Sequence, residues 1–390
     1  MTAAAARISF ERAAGDRVRR LVATASDGAR QRLRPTRPRM RALTVVGGGK
    51  LEWRSVPAPP PPGPLGAVVR PLAVATCDLD RALVLGATPF PFPLRYGHEC
   101  IAEVLSVGAS VANITPGQRV VVPFQISCGT CAACHGGRTG NCTSVPPLSM
   151  YGFGLIGGHW GGAVADQLAV PFADGMLVPL ADGLEPAHVA SVADNVCDGY
   201  RHIGPYLPSL LDERGEVEVI ILAAVSRRSL FSASVPLYAG LTARALGASA
   251  VHFVDCRPEV RTQAARLGLN AVAPGALRRG FAAPLTADVT GQPGGLRRAL
   301  SLTAPDGICS SVGGLHRSGR LPIGEMYMRN ATLSIGRTHA RAVMPAVLDL
   351  ITSGRLQPER VTTTVAPMDD AVEVLRAHML GDSTKTILTA

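Results

Sequence analysis

Hydrophobic and polar positions follow two different rhythms along this chain. Up to about residue 125 the apolar residues come in short runs cut by Gly and Pro. Residues 41–56, RALTVVGGGKLEWRSV, predict two short strands around a Gly turn, and the following APPPPGPLG predicts a rigid, extended connection. AVVRPLAVATC predicts a strand run ending at Cys77, and CIAEVLSVGASV and GQRVVVPF predict two more. Short strands parted by turn residues define a small, partly closed β-domain.

After about residue 200 the runs lengthen. VEVIILAAV (217–225) is a continuous apolar stretch, a predicted helix covers 236–248, and AVHFVD (250–255) is a second buried strand. A helix over 258–269 and a strand over 270–274 complete a βαβαβ rhythm, which calls for parallel strands with covering helices. DGICSSVG (306–313) predicts a later strand ending at Gly313, and residues 341–390 predict two amphipathic helices and a last strand, KTILT. The expected fold class is α/β with a β-rich domain: a β-rich unit over 41–200, a doubly wound parallel sheet over 201–340, and a return of 341–390 to the first unit.

A length of 390 residues suits two domains, and 47% hydrophobic residues are ample for their cores. The net charge of +10 is unevenly spread. Residues 1–40 are rich in Arg, hold only Glu11, Asp16 and Asp27 as acids, and carry most of the excess. The remainder is close to neutral and gives no reason to expect nucleic acid. That basic stretch is expected to be a disordered extension that contributes nothing to the fold, since a strand begins just after Met40. It contains no apolar run long enough for a signal peptide or membrane span.

The nine cysteines are odd in number, which argues against a disulfide framework and for a reducing, cytoplasmic setting. Four of them, Cys128, Cys131, Cys134 and Cys142, lie in SCGTCAACHGGRTGNC with C-x2-C-x2-C-x7-C spacing. Two-residue gaps let a tight turn aim several thiolates at one point. Zinc in a tetrahedron is the expected occupant, with an iron–sulfur cluster as the rival. Four thiolates leave no position open, so the site is structural.

With that motif the chain resembles the zinc-dependent medium-chain alcohol dehydrogenases, nearest to their threonine and formaldehyde dehydrogenase-like branch, over about residues 41–390. The resemblance implies a GroES-like catalytic domain and a Rossmann-like domain with the active site between them. It also implies two zinc ions per chain, NAD(P)-linked interconversion of an alcohol and a carbonyl compound, and a homodimer or homotetramer. Residue by residue, the catalytic-zinc ligands match Cys77 in VATCDLD, His98 in YGHE and Asp194 in SVADNVCDGY, with Cys197 as a weaker rival to Asp194. Glu99 matches the acidic neighbour able to exchange onto the metal, and Asp80 matches an acidic residue that supports the His. One thiolate, one imidazole and one carboxylate leave a fourth zinc position for a substrate oxygen.

Two departures from the family pattern stand out. Where many members carry a hydroxyl and a His to relay a proton, this chain has Leu79 and Ala82, so Asp78, Asp80 or Glu99 would have to serve. The Gly-rich phosphate loop is also absent: its three glycine positions fall at Phe231, Ala233 and Pro236. Asp255 stands where an acid takes the ribose hydroxyls of NAD and would repel the 2′-phosphate of NADP. Arg257 lies two residues on. Arg227, Arg228 and Ser234 are candidate pyrophosphate contacts, and Gly313 completes the expected cofactor set. Tyr151, Phe153 and Trp160 are candidates for the substrate pocket or the core, while His339 and Arg341 favour a structural role. The leading reading is a zinc-dependent, NAD-linked alcohol or carbonyl oxidoreductase acting on a small molecule, with neither membrane nor nucleic acid as partner. The alternatives are a zinc lyase, isomerase or hydratase without free nucleotide, and a non-catalytic zinc scaffold.

Overall fold

The computed structural model describes residues 37–227, 229–277, 280–312 and 320–390. The expectation for the N-terminal extension falls almost wholly outside them, as do Arg228 and Gly313. Met40–Ala390 forms one unit.

The Gly turn at 47–49, with all three glycines at positive φ, folds β1 (Arg39–Gly47) against β2 (Lys50–Pro57). On its other side β1 meets the two-residue β4 (Leu94–Arg95). The main β-rich sheet has seven strands. They are β3 (Ala67–Ala75), β5 (Glu99–Val107), β6 (Arg119–Val122), β7 (Leu168–Val170), β8 (Val178–Pro179), β15 (Thr364–Pro367) and β16 (Thr386–Thr389). Their order is β15-β16-β3-β5-β6-β8, with β7 also on β3. β16 therefore lies beside β3, antiparallel to it, more than 300 residues away in sequence.

The second sheet is all parallel. β9 (Glu218–Ala224), β10 (Ala250–Asp255), β11 (Asn270–Val272), β12 (Ala283–Asp288), β13 (Thr303–Ser311) and β14 (Thr332–Ile335) run in the order β11-β10-β9-β12-β13-β14. This is the 3-2-1-4-5-6 order of dinucleotide-binding sheets, whose crevice opens at the strands' C-terminal ends. Side chains of β9 alternate: Val219 and Ile221 join the large core shared with the β-rich unit, while Ile220 and Leu222 face a second core with Val254, Leu296 and Leu300. Burial on both faces explains the unbroken apolar run.

Several boundaries differ from the sequence expectation: the helix placed at 258–269 runs Pro258–Arg266 and the strand placed at 270–274 runs Asn270–Val272. The helix placed at 236–248 runs Ser234–Ala245. It begins two residues early because a carboxylate from the other domain caps its first amides, and it stops before Gly247, which turns at φ +95°. The strand placed at 306–313 runs Thr303–Ser311. Strands β12 and β14 carry no alternation distinctive enough to be read beforehand. Among the described residues no helix is long and apolar enough to cross a membrane.

Candidate active site and metal centres

β3 and β5 are antiparallel neighbours with Ala75 opposite Glu99. That register brings the residues just past one strand end, Thr76 and Cys77, beside the residue just before the other, His98. Gly97 makes the approach possible: at φ +90°, a Cβ there would lie 2.9 Å from the Val164 backbone nitrogen. Gly152 closes over the ring, since its Cβ would meet His98 Nδ1 at 3.1 Å. Asp194 arrives at the junction between the 3-10 turn Ala190–Ala193 and the Asn195–Arg201 helix.

One ligand atom from each of Cys77, His98, Glu99 and Asp194 lies within 4.8 Å of all the others, and all four residues are buried. Asp194 Oδ2 is 3.4 Å from His98 Nε2 and 3.5 Å from Cys77 Sγ. Burial, then the carboxylates of Asp194, Glu99 and Asp80, push the Cys77 thiol far above its ordinary range. Both ring nitrogens of His98 are buried without a hydrogen-bond partner. A cation among these donors would relieve the charge crowding and engage Nε2, so the residues fit a zinc ion. Cys197 lies apart from this set: its thiol donates to Val192 O at 3.0 Å.

The surroundings fix the donors. Asp80 Oδ2 accepts the Cys77 N–H at 2.8 Å and the Tyr96 hydroxyl at 2.6 Å. Asp80 thus orients the Cys77 segment; among its described hydrogen bonds none goes to His98. Asn195 Nδ2 donates to both Cys77 Sγ (3.3 Å) and Asp194 Oδ2 (3.1 Å). Glu99 is paired: Lys385 Nζ donates to its two oxygens at 3.0 and 2.9 Å, and also to Asn195 Oδ1 at 2.8 Å and to Thr76 O. Burial pushes the Glu99 carboxyl up, and Lys385 opposes that push. Neither Lys385 nor Asn195 stands in the sequence-derived set. Phe153 and Phe124 wall the imidazole at ring-centroid distances of 4.9 and 5.8 Å. Tyr151 belongs to the core, its hydroxyl donating to Ala169 O, and Trp160 is half-buried at the core's edge.

Cys128, Cys131, Cys134 and Cys142 form the second cluster, again with all ligand atoms within 4.8 Å. The amides of Cys131 and Thr130 donate to Cys128 Sγ at 3.3 and 3.4 Å, the Ser144 hydroxyl at 3.2 Å, and the Cys128 amide donates to Cys142 Sγ at 3.3 Å. Burial raises the Cys128 thiol, but Ser144 and Thr130 bring it down to about 7. Hydrogen bonds led by Thr143 bring Cys131 to about 5. Cys134 goes the other way, raised to about 12 by burial and by the adjoining Cys131 and Cys142 thiols, so a cation among the four is what would let all of them ionise together. All nine cysteines are free. The lobe is tied to the second domain through His339, whose Nδ1 accepts the Gly140 N–H at 3.1 Å.

The expected cofactor residues are placed less simply. Asp255 closes β10, but it is fully buried and both its oxygens bond Arg257: Nε to Oδ1 at 3.0 Å and Nη2 to Oδ2 at 2.7 Å. Arg257 Nη1 also donates to Phe231 O at 2.9 Å. Arg227 is exposed. Ser234 is buried at the start of its helix, its hydroxyl within hydrogen-bond distance of both Asp78 Oδ1 and Asn195 Oδ1, which share its one proton. Asp78 faces that helix. Glu99 faces Lys385. Leu79 packs against the core and Ala82 is buried.

Residues 63–182 match the family described as the alcohol dehydrogenase GroES-like domain. The chain is 29% identical over 343 residues to a Mycobacterium tuberculosis protein named as a probable zinc-binding alcohol dehydrogenase, covering 86% of this chain and 84% of that one. It is 34% identical over 142 residues to the glutathione-independent formaldehyde dehydrogenase of Pseudomonas aeruginosa, about a third of either chain. Its fold superposes on the alcohol dehydrogenase TADH of Thermus sp. ATN1 with a TM-score of 0.79 at 28% identity, over 90% of this chain and 99% of that one. A β-rich unit beside a dinucleotide-type sheet, with a Cys-His-carboxylate cluster and a four-cysteine lobe, defines a two-domain zinc dehydrogenase. Residues 63–182 belong to the alcohol dehydrogenase GroES-like family, and the fold and both clusters are like those of the zinc-dependent medium-chain alcohol and formaldehyde dehydrogenase-like proteins.

Proposed function

We propose that this chain is a zinc-dependent oxidoreductase that interconverts an alcohol and an aldehyde or ketone with NAD. The observation that carries the reading is the pair of buried, unpartnered imidazole nitrogens of His98, one facing Asp194 and Cys77. Cys77, His98 and Asp194 would hold the catalytic zinc and the four cysteines of the lobe the structural one. When bound, zinc supplies polarisation of a substrate oxygen, and the nicotinamide supplies hydride exchange. The chain's own residues prepare the place. Asp80 and Asn195 fix the thiolate and carboxylate, Lys385 holds Glu99 beside the metal position, and Phe153 and Phe124 exclude water from the imidazole. NAD is preferred to NADP on the position of Asp255 at the end of β10, whose oxygens would meet the ribose once Arg257 releases them. Domain limits are proposed at 41–200, 201–340 and 341–390.

Homo-oligomer formation is proposed on a second observation. β14 is an edge strand among the described residues, and the Ile323–Arg329 helix that precedes it in sequence exposes Tyr327 and Met328, each about four-fifths accessible. The nine free cysteines support a reducing compartment. The test is zinc content with NAD reduction over a panel of small alcohols. His98→Ala should lose one of two zinc ions and all turnover. Retention of both ions in that variant would refute the assignment.

A further inference from the structure

The carboxylate of Asp78, one residue past Cys77, reaches out of the β-rich unit to the first turn of the Ser234–Ala245 helix. Its Oδ1 accepts the Ser234 N–H at 2.9 Å, the Ser232 hydroxyl at 2.8 Å and the Ser234 hydroxyl, and its Oδ2 accepts the Val235 N–H at 3.0 Å. Its backbone carbonyl accepts the Ser232 N–H at 3.4 Å. Asp78 is only 9% exposed. This helix follows the first strand of the parallel sheet, so its N-terminal amides and positive dipole end are where a dinucleotide pyrophosphate would bind. A carboxylate with two oxygens on successive amides satisfies the same donors with the same sign of charge.

The other anchor is engaged as well. Arg257 clamps both oxygens of Asp255, the group placed to accept ribose hydroxyls, and reaches Phe231 O in the loop between β9 and the helix. Phe231 and Ala233, without the freedom of glycine, line that loop. Two contacts within the chain thus fill the places of two parts of one ligand.

We propose that Asp78 is a self-ligand of the dinucleotide site: it occupies the pyrophosphate position, and the cofactor binds only by displacing it. The proposal rests on the nicotinamide reading above. The cofactor's adenosine diphosphate half therefore contributes little net affinity, because it exchanges with contacts already made. Displacement also moves the residue next to Cys77, so nucleotide occupancy is linked to the catalytic metal site.

The test uses the zinc-loaded full chain and titrates NADH and NADPH by fluorescence, with thermal melting to verify the fold of each variant. Asp78→Asn, which removes the charge and one acceptor, should bind NADH at least about tenfold tighter than the parent, or about 1.4 kcal/mol. Asp78→Ser, shorter and neutral, should bind tighter still. A purely structural tie predicts the opposite sign. The parent offers an independent measurement: NADH should bind it no more than about tenfold tighter than reduced nicotinamide mononucleotide, since the second half of the cofactor meets occupied anchors. Should neither variant fold, that ratio decides, and a larger advantage for NADH overturns the proposal. Measurable parent binding that is unchanged or weakened in the folded variants also overturns it and leaves the nicotinamide reading standing. Absence of NADH and NADPH binding by the parent and by both folded variants overturns both.

Discussion

Replacing Lys385 by Met removes the counter-ion of a carboxylate that has no access to water. Lys385 and Glu99 are both fully buried, and the ammonium makes four contacts: two to Glu99, one to Asn195 Oδ1 and one to the Thr76 carbonyl. Met matches the length of the aliphatic stem, so the change isolates the charge and its hydrogen bonds from volume. Breaking a buried pair by deleting one partner costs about 3–5 kcal/mol, because the other charge remains desolvated. The Thr76 carbonyl also loses its donor, whereas Asn195 Oδ1 keeps the Asp78 N–H at 3.3 Å and the Ser234 hydroxyl at 2.8 Å, which places this case within that range. Against a typical stability of about 5–15 kcal/mol, the variant should sit near the threshold of folding. Urea unfolding followed by circular dichroism measures the loss. Adding Glu99→Gln to Lys385→Met removes the orphaned charge and should return about 2 kcal/mol, a coupling that a double-mutant cycle extracts. A single-variant cost below about 1 kcal/mol, or no recovery in the double variant, would refute the reasoning.

Cys134→Ser should remove one zinc ion and lower the melting temperature while leaving the Cys77 site's metal in place; atomic absorption on the purified variant checks this. His378 is buried against Thr386, and burial lowers its pKa to about 4. Between about pH 6.5 and 4 the unfolded chain then binds a proton that the folded chain refuses, so stability falls as pH drops through that window. The loss is bounded at roughly 1.4 kcal/mol per pH unit. His378→Gln, which keeps a polar partner for Thr386, should flatten the acid limb of stability against pH; an unchanged limb would assign the slope to other groups.

The parts of the site that could be read beforehand are those written locally. The four cysteines of the lobe span fifteen residues, so their spacing alone brings the sulfurs together. Cys77 and His98 are read from two strand ends, and the β3–β5 register joins them. The alternation of the short strands and the apolar runs of the parallel sheet likewise disclosed the two-domain fold. What escaped was written at a distance. In the sequence Asp78 reads only as a proton route, because its partners lie 154 to 157 residues on, beyond any pattern of spacing. The clamp on Asp255 is local, two residues away at Arg257, and what the sequence does not show is that the guanidinium turns back onto both carboxylate oxygens. Lys385 did leave a signal. Only two of the chain's 39 basic residues are lysines, Lys50 and Lys385, and the second begins an apolar strand run. A compact ammonium there, in a chain that otherwise writes its cations as Arg, marks a place too narrow for a guanidinium fork.

The lysine also divides the work among the four donors. Lys385 leads into β16, the strand between β15 and β3, so the sheet itself delivers the cation that faces Glu99. With both Glu99 oxygens held in that ion pair, Cys77, His98 and Asp194 are the donors left on offer. A counter-ion for one carboxylate thereby sets how many ligands the cluster presents, turning a four-donor group into a three-donor seat.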